Sequence, residues 1–317
     1  MATPPPSIDR NQMSFFSRPF VADTAARALQ ALTRVGVRKI EAEAAVRLPE
    51  FTADTTETSI PTPLGPARAT VYRAAGCSGV APVHVNFHGG GFVLDTTELD
   101  DVLCRTLAAT SGSTVVNVDY VVAPQHRFPH PPQQAYDIVR WVAAHGQEGG
   151  WDGTRLTIGG QSAGGALAAA VSRQALERNG PSIALQVLHY AALDLSTPTA
   201  SKRSTKAKPM LRPWMGQVFD TAYVPDPARR RDRLASPAGP ADTSDLTGMA
   251  PAVIIAAEHD ILRDEARRYA DRLETVGALV DYREIPGADH GYDMDDDVRA
   301  RETYLYIAAK LRAAVTG

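Results

Sequence analysis

Four stretches of the chain carry groups whose types and spacing fit acyl transfer. The first, Ile158-Gly-Gly-Gln-Ser-Ala-Gly-Gly165, contains Gly-x-Ser-x-Gly with Ser162 at its centre. A serine hydroxyl is a weak nucleophile, and it must stand clear of a sheet to meet a base and a substrate together. A sharp turn between a strand and a helix gives that exposure. Residues 155–158 read as a strand end and residues 166–176 as a helix of strong helix formers, so the pattern has this context. Gly160 and Gly164 remove side chains that would collide with the neighbouring strand and helix. The helix opening at Ala163 aims N–H groups and its positive dipole end at the site.

The second stretch, His88-Gly89-Gly90-Gly91, directly follows a strand signal at 83–87. Consecutive glycines let the backbone fold back so that amides point at a developing negative charge. Paired with the N–H of Ala163, they would form an oxyanion hole. The third supplies a base. Of eight histidines, His290 lies in Pro286-Gly-Ala-Asp-His-Gly-Tyr292, a loop after a strand signal at 280–285. From there it can reach back to the serine turn. His84 and His189 read as strand residues, and His126 and His130 sit among prolines, so these four read as structural. The fourth stretch supplies an acid to orient the base. Asp260 follows a strand at 252–257, and Asp194 follows a strand at 183–190; both lie between Ser162 and His290 in the chain. Asp260 is preferred because it is one strand unit before the histidine, with Asp194 as the alternative. His259 would point away from Asp260 in continued strand geometry. Asp264 and Glu265 open a helix and suit its N-terminal dipole.

The elements that must position these groups alternate. Residues 52–60 and 67–73 read as a hairpin around Pro61-Thr-Pro-Leu-Gly-Pro66. Strand signals at 83–87, 114–120, 155–159, 183–190, 252–257 and 280–285 are interleaved with helix signals at 98–110, 131–145, 264–276 and 298–314. This predicts an α/β fold: a mostly parallel sheet covered by helices on both faces. Residues 1–50 read as an arm with a helix from 21 to 34 and a second, shorter one near 38–47. The alternation breaks at 196–247, where an aromatic amphipathic piece at 213–223 predicts an insertion over the C-terminal ends of the strands, with Trp214, Met215, Phe219 and Tyr223 able to bury a face. The expected organisation is therefore an N-terminal cap arm (1–50), a first core segment (51–195), a cap insertion (196–247) and a second core segment (248–317).

In four blocks the chain resembles the hormone-sensitive-lipase group of the α/β-hydrolase superfamily, carboxylesterases with His-Gly-Gly-Gly. They are His88 to Gly91; Asp119-Tyr-x-x-Ala-Pro124 followed by Phe128-Pro129; Gly160-x-Ser-Ala-Gly-Gly165; and Asp260-x-Leu-Arg-Asp-Glu265 with His290-Gly291. The resemblance implies an α/β-hydrolase fold with a mostly parallel eight-stranded sheet, flanking helices and a helical cap. It implies a Ser162 nucleophile, His290 as general base and acid, and Asp260 as the orienting carboxylate. Gly90, Gly91 and Ala163 would be the main oxyanion donors, with Gly89 completing the loop and His88 shaping the turn. It also implies a small ester substrate with a short or medium acyl chain, no metal or organic cofactor, and dimerisation through the strand at 280–285. Three positions depart from the family pattern: Gln161 stands for the usual Asp, Gln125 for a common Glu, and Ile261 for a common Pro. None of them must ionise for acyl transfer. The same triad would also serve an amidase, a lactonase or a deacetylase, since only the pocket distinguishes them. A catalytically silent receptor on this fold would be expected to lack the histidine.

Composition limits the partners. The chain has 317 residues, 44% hydrophobic and 22% charged, with a formal net charge of -3, so no nucleic-acid partner is expected. Arg229-Arg-Arg231 reads as a solvated loop. Cys77 and Cys104 stand in unrelated contexts with no ligand cluster, so neither a disulfide nor a zinc site is expected, and free thiols suit a reducing compartment. The first ten residues lack an apolar segment of signal-peptide type, and the apolar runs are too short to span a bilayer. The expectation is a cytoplasmic protein.

Overall fold

The computed structural model describes residues 15–76 and 79–316. The hairpin forms β1 (Ala53–Ile60) and β2 (Ala67–Ala74), paired antiparallel. The remaining strands are β3 (Ala81–Phe87), β4 (Thr114–Asp119), β5 (Trp151–Gln161), β6 (Leu185–His189), β7 (Ala252–Ala257) and β8 (Leu279–Ile285). They build one eight-stranded sheet in the order β1-β2-β4-β3-β5-β6-β7-β8. β2 meets β4 antiparallel, and every pair from β4 through β8 is parallel. This is the expected α/β-hydrolase sheet.

The central strands are apolar on both sides because helices cover both faces. On one face, α2 (Asp101–Ser111) and α8 (Asp297–Thr316) pack Leu103, Leu107, Ile307 and Leu311 against Val115, Val187, Val253 and Ile255. On the other, α3 (His130–Ala144), α5 (Ala163–Arg178) and α7 (Arg263–Thr275) pack Ile138, Leu167, Val171 and Leu273 against Val85, Ile158, Leu188 and Ile254. A four-residue helix, α4 (Gly146–Gly149), leads into β5. Chain order reverses about β3, with β4 on one side and β5 on the other. The crevice beyond the carboxyl ends of β3 and β5 is therefore a topological switch point, where α/β sheets bind ligands.

The two helices expected near residues 21–34 and 38–47 are one, α1 (Pro19–Val46). Gly36 sits in its middle with open space around it, and a mid-helix glycine costs only about 1 kcal/mol. Tertiary anchors hold the helix through that point. Gln30, buried, donates from Nε2 to the carbonyls of Val93 and Ala123 at 2.8 and 3.1 Å. At the far end, the Arg105 guanidinium takes up the carbonyls of Ala44, Arg47, Leu48 and Phe51. β5 begins four residues earlier than its sequence signal. The Trp151 indole is buried and donates to Val142 O at 2.9 Å, which pulls the strand start onto α3.

The insertion carries α6 (Pro213–Tyr223), which packs against α1. Tyr223 is buried, and its ring stacks on Phe92 at 4.0 Å. Met215 and Phe219 line a cleft instead of a core, and Trp214 stays 41% exposed beside Phe16. Arg229–Arg231 forms a 3-10 turn that is not wholly solvated. Arg230 folds inward to donate to Val224 O at 2.9 Å and Thr221 Oγ1 at 3.1 Å. Cys104 is buried, and burial holds its thiol well above its ordinary range; Cys77 lies outside the described residues. Among the described residues no helix is long and apolar enough to cross a membrane.

Candidate active site

β5 runs straight into α5, and Ser162 is the residue between them. Its φ of 52° and ψ of −115° are strained for a residue with a Cβ, a conformation that costs on the order of 1–3 kcal/mol. The surroundings impose it. Ser162 N donates to His189 O at 2.9 Å, and Ser162 O accepts from the amides of Ala166 and Ala192, both at 3.1 Å. The turn closes only because two neighbours lack side chains. A Cβ at Gly160 would lie 2.5 Å from the Gly164 backbone, and one at Gly164 would overlap the Phe87 carbonyl and sit 2.6 Å from His88 O. Gly164→Ala is therefore expected to cost about 3 kcal/mol or more, read as a lowered denaturant midpoint at unchanged slope. A midpoint equal to that of the unaltered chain would mean the turn is not that tight.

The other groups arrive from strand ends. Ser162 Oγ lies 3.0 Å from His290 Nε2, and His290 Nδ1 lies 2.7 Å from Asp260 Oδ2. With Nδ1–H donating to the carboxylate, Nε2 is left to accept from the hydroxyl. Asp260 is fixed from behind, its Oδ1 accepting from Leu262 N at 3.0 Å. Both Asp260 and His290 are buried. Burial opposes a charge on His290, but the Asp260 carboxylate, with Asp293 and Asp289 behind it, outweighs burial and lifts the imidazole above its ordinary value.

Asp194 stands elsewhere. Its carboxylate accepts from Ser196, Thr197 and Arg268, the last at 2.8 Å. Glu265 lies in the first turn of α7, as the sequence placed it, and its carboxylate accepts from the Leu193 and Asp194 amides and pairs with Lys202 at 2.5 Å. Asp264 caps no backbone amide and pairs with Arg263. His84 and His189 are buried, and burial pushes them down to about 3 and about 4. His84 bonds Thr157, His189 bonds Tyr292, and His259 turns to Thr205. His126 and His130 pair edge to face.

The His-Gly-Gly-Gly loop leaves β3 beside the serine turn. Phe87 pairs with Gly160 across the sheet, so the loop starts level with the elbow. His88 is buried, with its ring stacked on Tyr120 at 4.4 Å and its carbonyl accepting from Tyr120 OH at 2.9 Å. Gly90 has a φ of +117°, and its carbonyl accepts from the amides of Val93 and Leu94. Gly91 has a φ of +63°, and a Cβ there would run into the Phe219 ring at 2.6 Å. Gly89, Gly90, Gly91 and Ser162 all line the cleft, with Ala163 opening α5 beside them. Asp100 is a site residue that sequence reasoning passed over. It is buried, bonds Asn86 Nδ2 at 2.9 Å, and burial raises its carboxyl to about 7. No local pattern marks it, because its partners come from β3.

These groups open into one cleft of about 190 Å³. Phe92, Leu94, Leu195, Leu211, Met215, Phe219 and Met294 make most of it apolar, with Thr199, Lys202 and Asp220 as a polar patch on the wall. Such a concave apolar site with few convergent polar groups suits a small organic ligand.

Comparison with known proteins agrees with this arrangement. A family described as having an alpha/beta hydrolase fold matches residues 84–294. Esterase LipI of Mycobacterium tuberculosis is 33% identical over 240 residues, covering 73% of this chain and 72% of the relative. An esterase structure from Pyrobaculum calidifontis superposes with a TM-score of 0.82 at 33% identity, covering 96% of this chain and 97% of that one. EstE1, a thermostable carboxylesterase cloned from a metagenomic library, gives a TM-score of 0.82 at 31% identity over 92% of this chain and 98% of its own. With its eight-stranded sheet, serine elbow and glycine loop, the chain belongs to the α/β-hydrolase superfamily, within the hormone-sensitive-lipase-like carboxylesterases.

Proposed function

We propose that the chain hydrolyses small carboxylic esters through an acyl-enzyme on Ser162. The observation that carries this is the hydrogen-bonded relay of Ser162 Oγ, His290 and Asp260, at 3.0 and 2.7 Å, opening into an apolar cleft. Ser162 Oγ attacks the ester carbonyl while His290 Nε2 takes its proton. The C–O bond to the alcohol breaks as Nε2 returns that proton to the leaving oxygen. Water then attacks the acyl-enzyme with His290 again as base, releasing the acid and restoring the hydroxyl. Asp260 holds the imidazole in the donating tautomer and supports its positive charge in the transition states. The Gly90, Gly91 and Ala163 amides, with the positive end of α5, hold the oxyanion. The apolar lining and volume of the cleft suit short- to medium-chain acyl groups.

In this reading the arm (1–50, of which 1–14 lie outside the described residues) and residues 196–247 supply a cap to the core (51–195 and 248–317), with α1 and α6 as its two helices. We also carry forward dimerisation through the outer strand β8, where Val280 is 49% exposed, and a cytoplasmic location suited to the buried thiol of Cys104. Paired p-nitrophenyl esters and p-nitroanilides of increasing acyl length test the bond specificity. Esters are expected to be turned over faster at every length, with the maximum among short and medium chains. Anilides turned over as fast would make the protein an amidase.

A further inference from the structure

Asp293 lies three residues beyond His290, buried, in no step of the mechanism above. Its Oδ1 accepts from Tyr190 OH at 2.7 Å. Its Oδ2 accepts from Tyr304 OH at 2.8 Å and from Gln161 Nε2. Its backbone carbonyl accepts from Arg47 Nη2 at 2.7 Å. His189 Nδ1 lies 3.9 Å from the carboxylate, and burial keeps that imidazole neutral near pH 7. The carboxylate is thus satisfied by three uncharged donors, while the nearby Arg47 guanidinium bonds the Asp293 backbone carbonyl and the Asp297 carboxylate.

The donors come from elements that meet at the active site. Gln161 is the residue before Ser162, at the end of β5. Tyr190 follows β6, and its ring sits 4.9 Å from the His290 ring. Tyr304 is on α8. One carboxylate therefore joins the nucleophile turn to the loop that carries the base. Such a tie matters because transition-state geometry loses rate steeply with small displacements.

We propose that Asp293, held by Gln161, Tyr190 and Tyr304, is a positioning residue that fixes the His290 loop against the serine turn and supports the positive charge His290 gains in turnover. The inference rests on the reading of Ser162, His290 and Asp260 as the reacting groups.

The charges around His290 define what the test must separate. Asp260 faces it from the loop after β7. Asp289 and Asp293 belong to its own loop, and Lys206 lies 3.8 Å from Asp289. His189 and Tyr190 face it from the end of β6, and Asp100 lines the same cleft. Of the carboxylates on its own loop, Asp289 has Lys206 within ion-pair distance, whereas the Asp293 carboxylate takes three uncharged donors and the Arg47 guanidinium on its backbone carbonyl is paired with Asp297. Removing the charge of Asp293 must therefore make the imidazole easier to deprotonate. Since neutral His290 is the active form, the acid limb of kcat/KM then moves to lower pH.

The test is the pH dependence of p-nitrophenyl ester hydrolysis by the full chain and three variants. Asp293→Asn is expected to shift the acid limb down by about half a pH unit or more. Gln161→Met cuts the tie to the serine turn and leaves the charge. It is expected to lower kcat about 3- to 10-fold, the scale of one lost hydrogen bond, with KM within about twofold. An Asp293→Asn limb coincident with that of the unaltered chain, or a Gln161→Met variant with unaltered kcat, overturns the proposal. If Asp293→Asn does not fold, Gln161→Met decides. Ser162→Ala is the control: activity surviving there overturns the triad reading itself, whereas failure of the other two leaves that reading intact.

Discussion

Ser162→Ala is expected to lower turnover of a p-nitrophenyl ester by about 10⁴–10⁶-fold while the protein stays folded. The reaction begins with attack by Oγ, the hydroxyl that meets His290 Nε2 at 3.0 Å, and the variant lacks it. The backbone has no reason to move. Alanine keeps the Cβ that already occupies a φ of 52°, and the anchors at Ser162 N and O are main-chain groups. The cleft and the amides of Gly90, Gly91 and Ala163 remain, so substrate should still bind, and a small residual rate should persist from oxyanion stabilisation alone. Two measurements check this: steady-state kinetics and labelling by a fluorophosphonate probe. The probe should mark the unaltered chain at Ser162 and fail on the variant. A variant rate within tenfold of the original would mean that another nucleophile does the chemistry.

Asp260→Asn should come next in size, at about 10⁴-fold in kcat. The side chain keeps its shape, so the loss is electrostatic and tautomeric. An amide does not support the imidazolium, and it can present N–H to Nδ1, leaving Nε2 protonated and unable to accept from Ser162. Asp194→Asn is the matching control, because Asp194 was the other acid that chain order allowed. Its carboxylate is spent on Ser196, Thr197 and Arg268. Its replacement should leave kcat within a few-fold and lower stability by about 1–3 kcal/mol, the scale of a buried acceptor lost to charged and hydroxyl donors. Loss of activity in Asp194→Asn with most activity kept in Asp260→Asn would place the acid on the other strand.

The choice between these carboxylates shows where sequence reasoning stops. Both follow apolar parallel strands, both precede the histidine, and both could reach a site beyond the sheet's carboxyl edge. What separates them is a contact between residues 260 and 290, at 2.7 Å, made by the loops after neighbouring strands β7 and β8. The same limit explains Asp100 and Asp293. Neither belongs to a local pattern, since the first is defined by Asn86 and the second by Gln161, Tyr190 and Tyr304. The arm shows the limit in another way. Gly36 is a plausible break, yet the helix continues because anchors at both ends outweigh one residue's propensity.

Taken alone, the sequence determined the strand and helix alternation, the hairpin and the strand–turn–helix setting of Ser162. These follow from short-range causes: side-chain periodicity, glycine where no Cβ fits, and apolar runs that demand cover on two faces. The tertiary structure decided which acid faces His290 and which buried carboxylate ties the base to the nucleophile turn. Those outcomes depend on distances between residues far apart in the chain, and only packing of the whole sheet and its helices sets such distances.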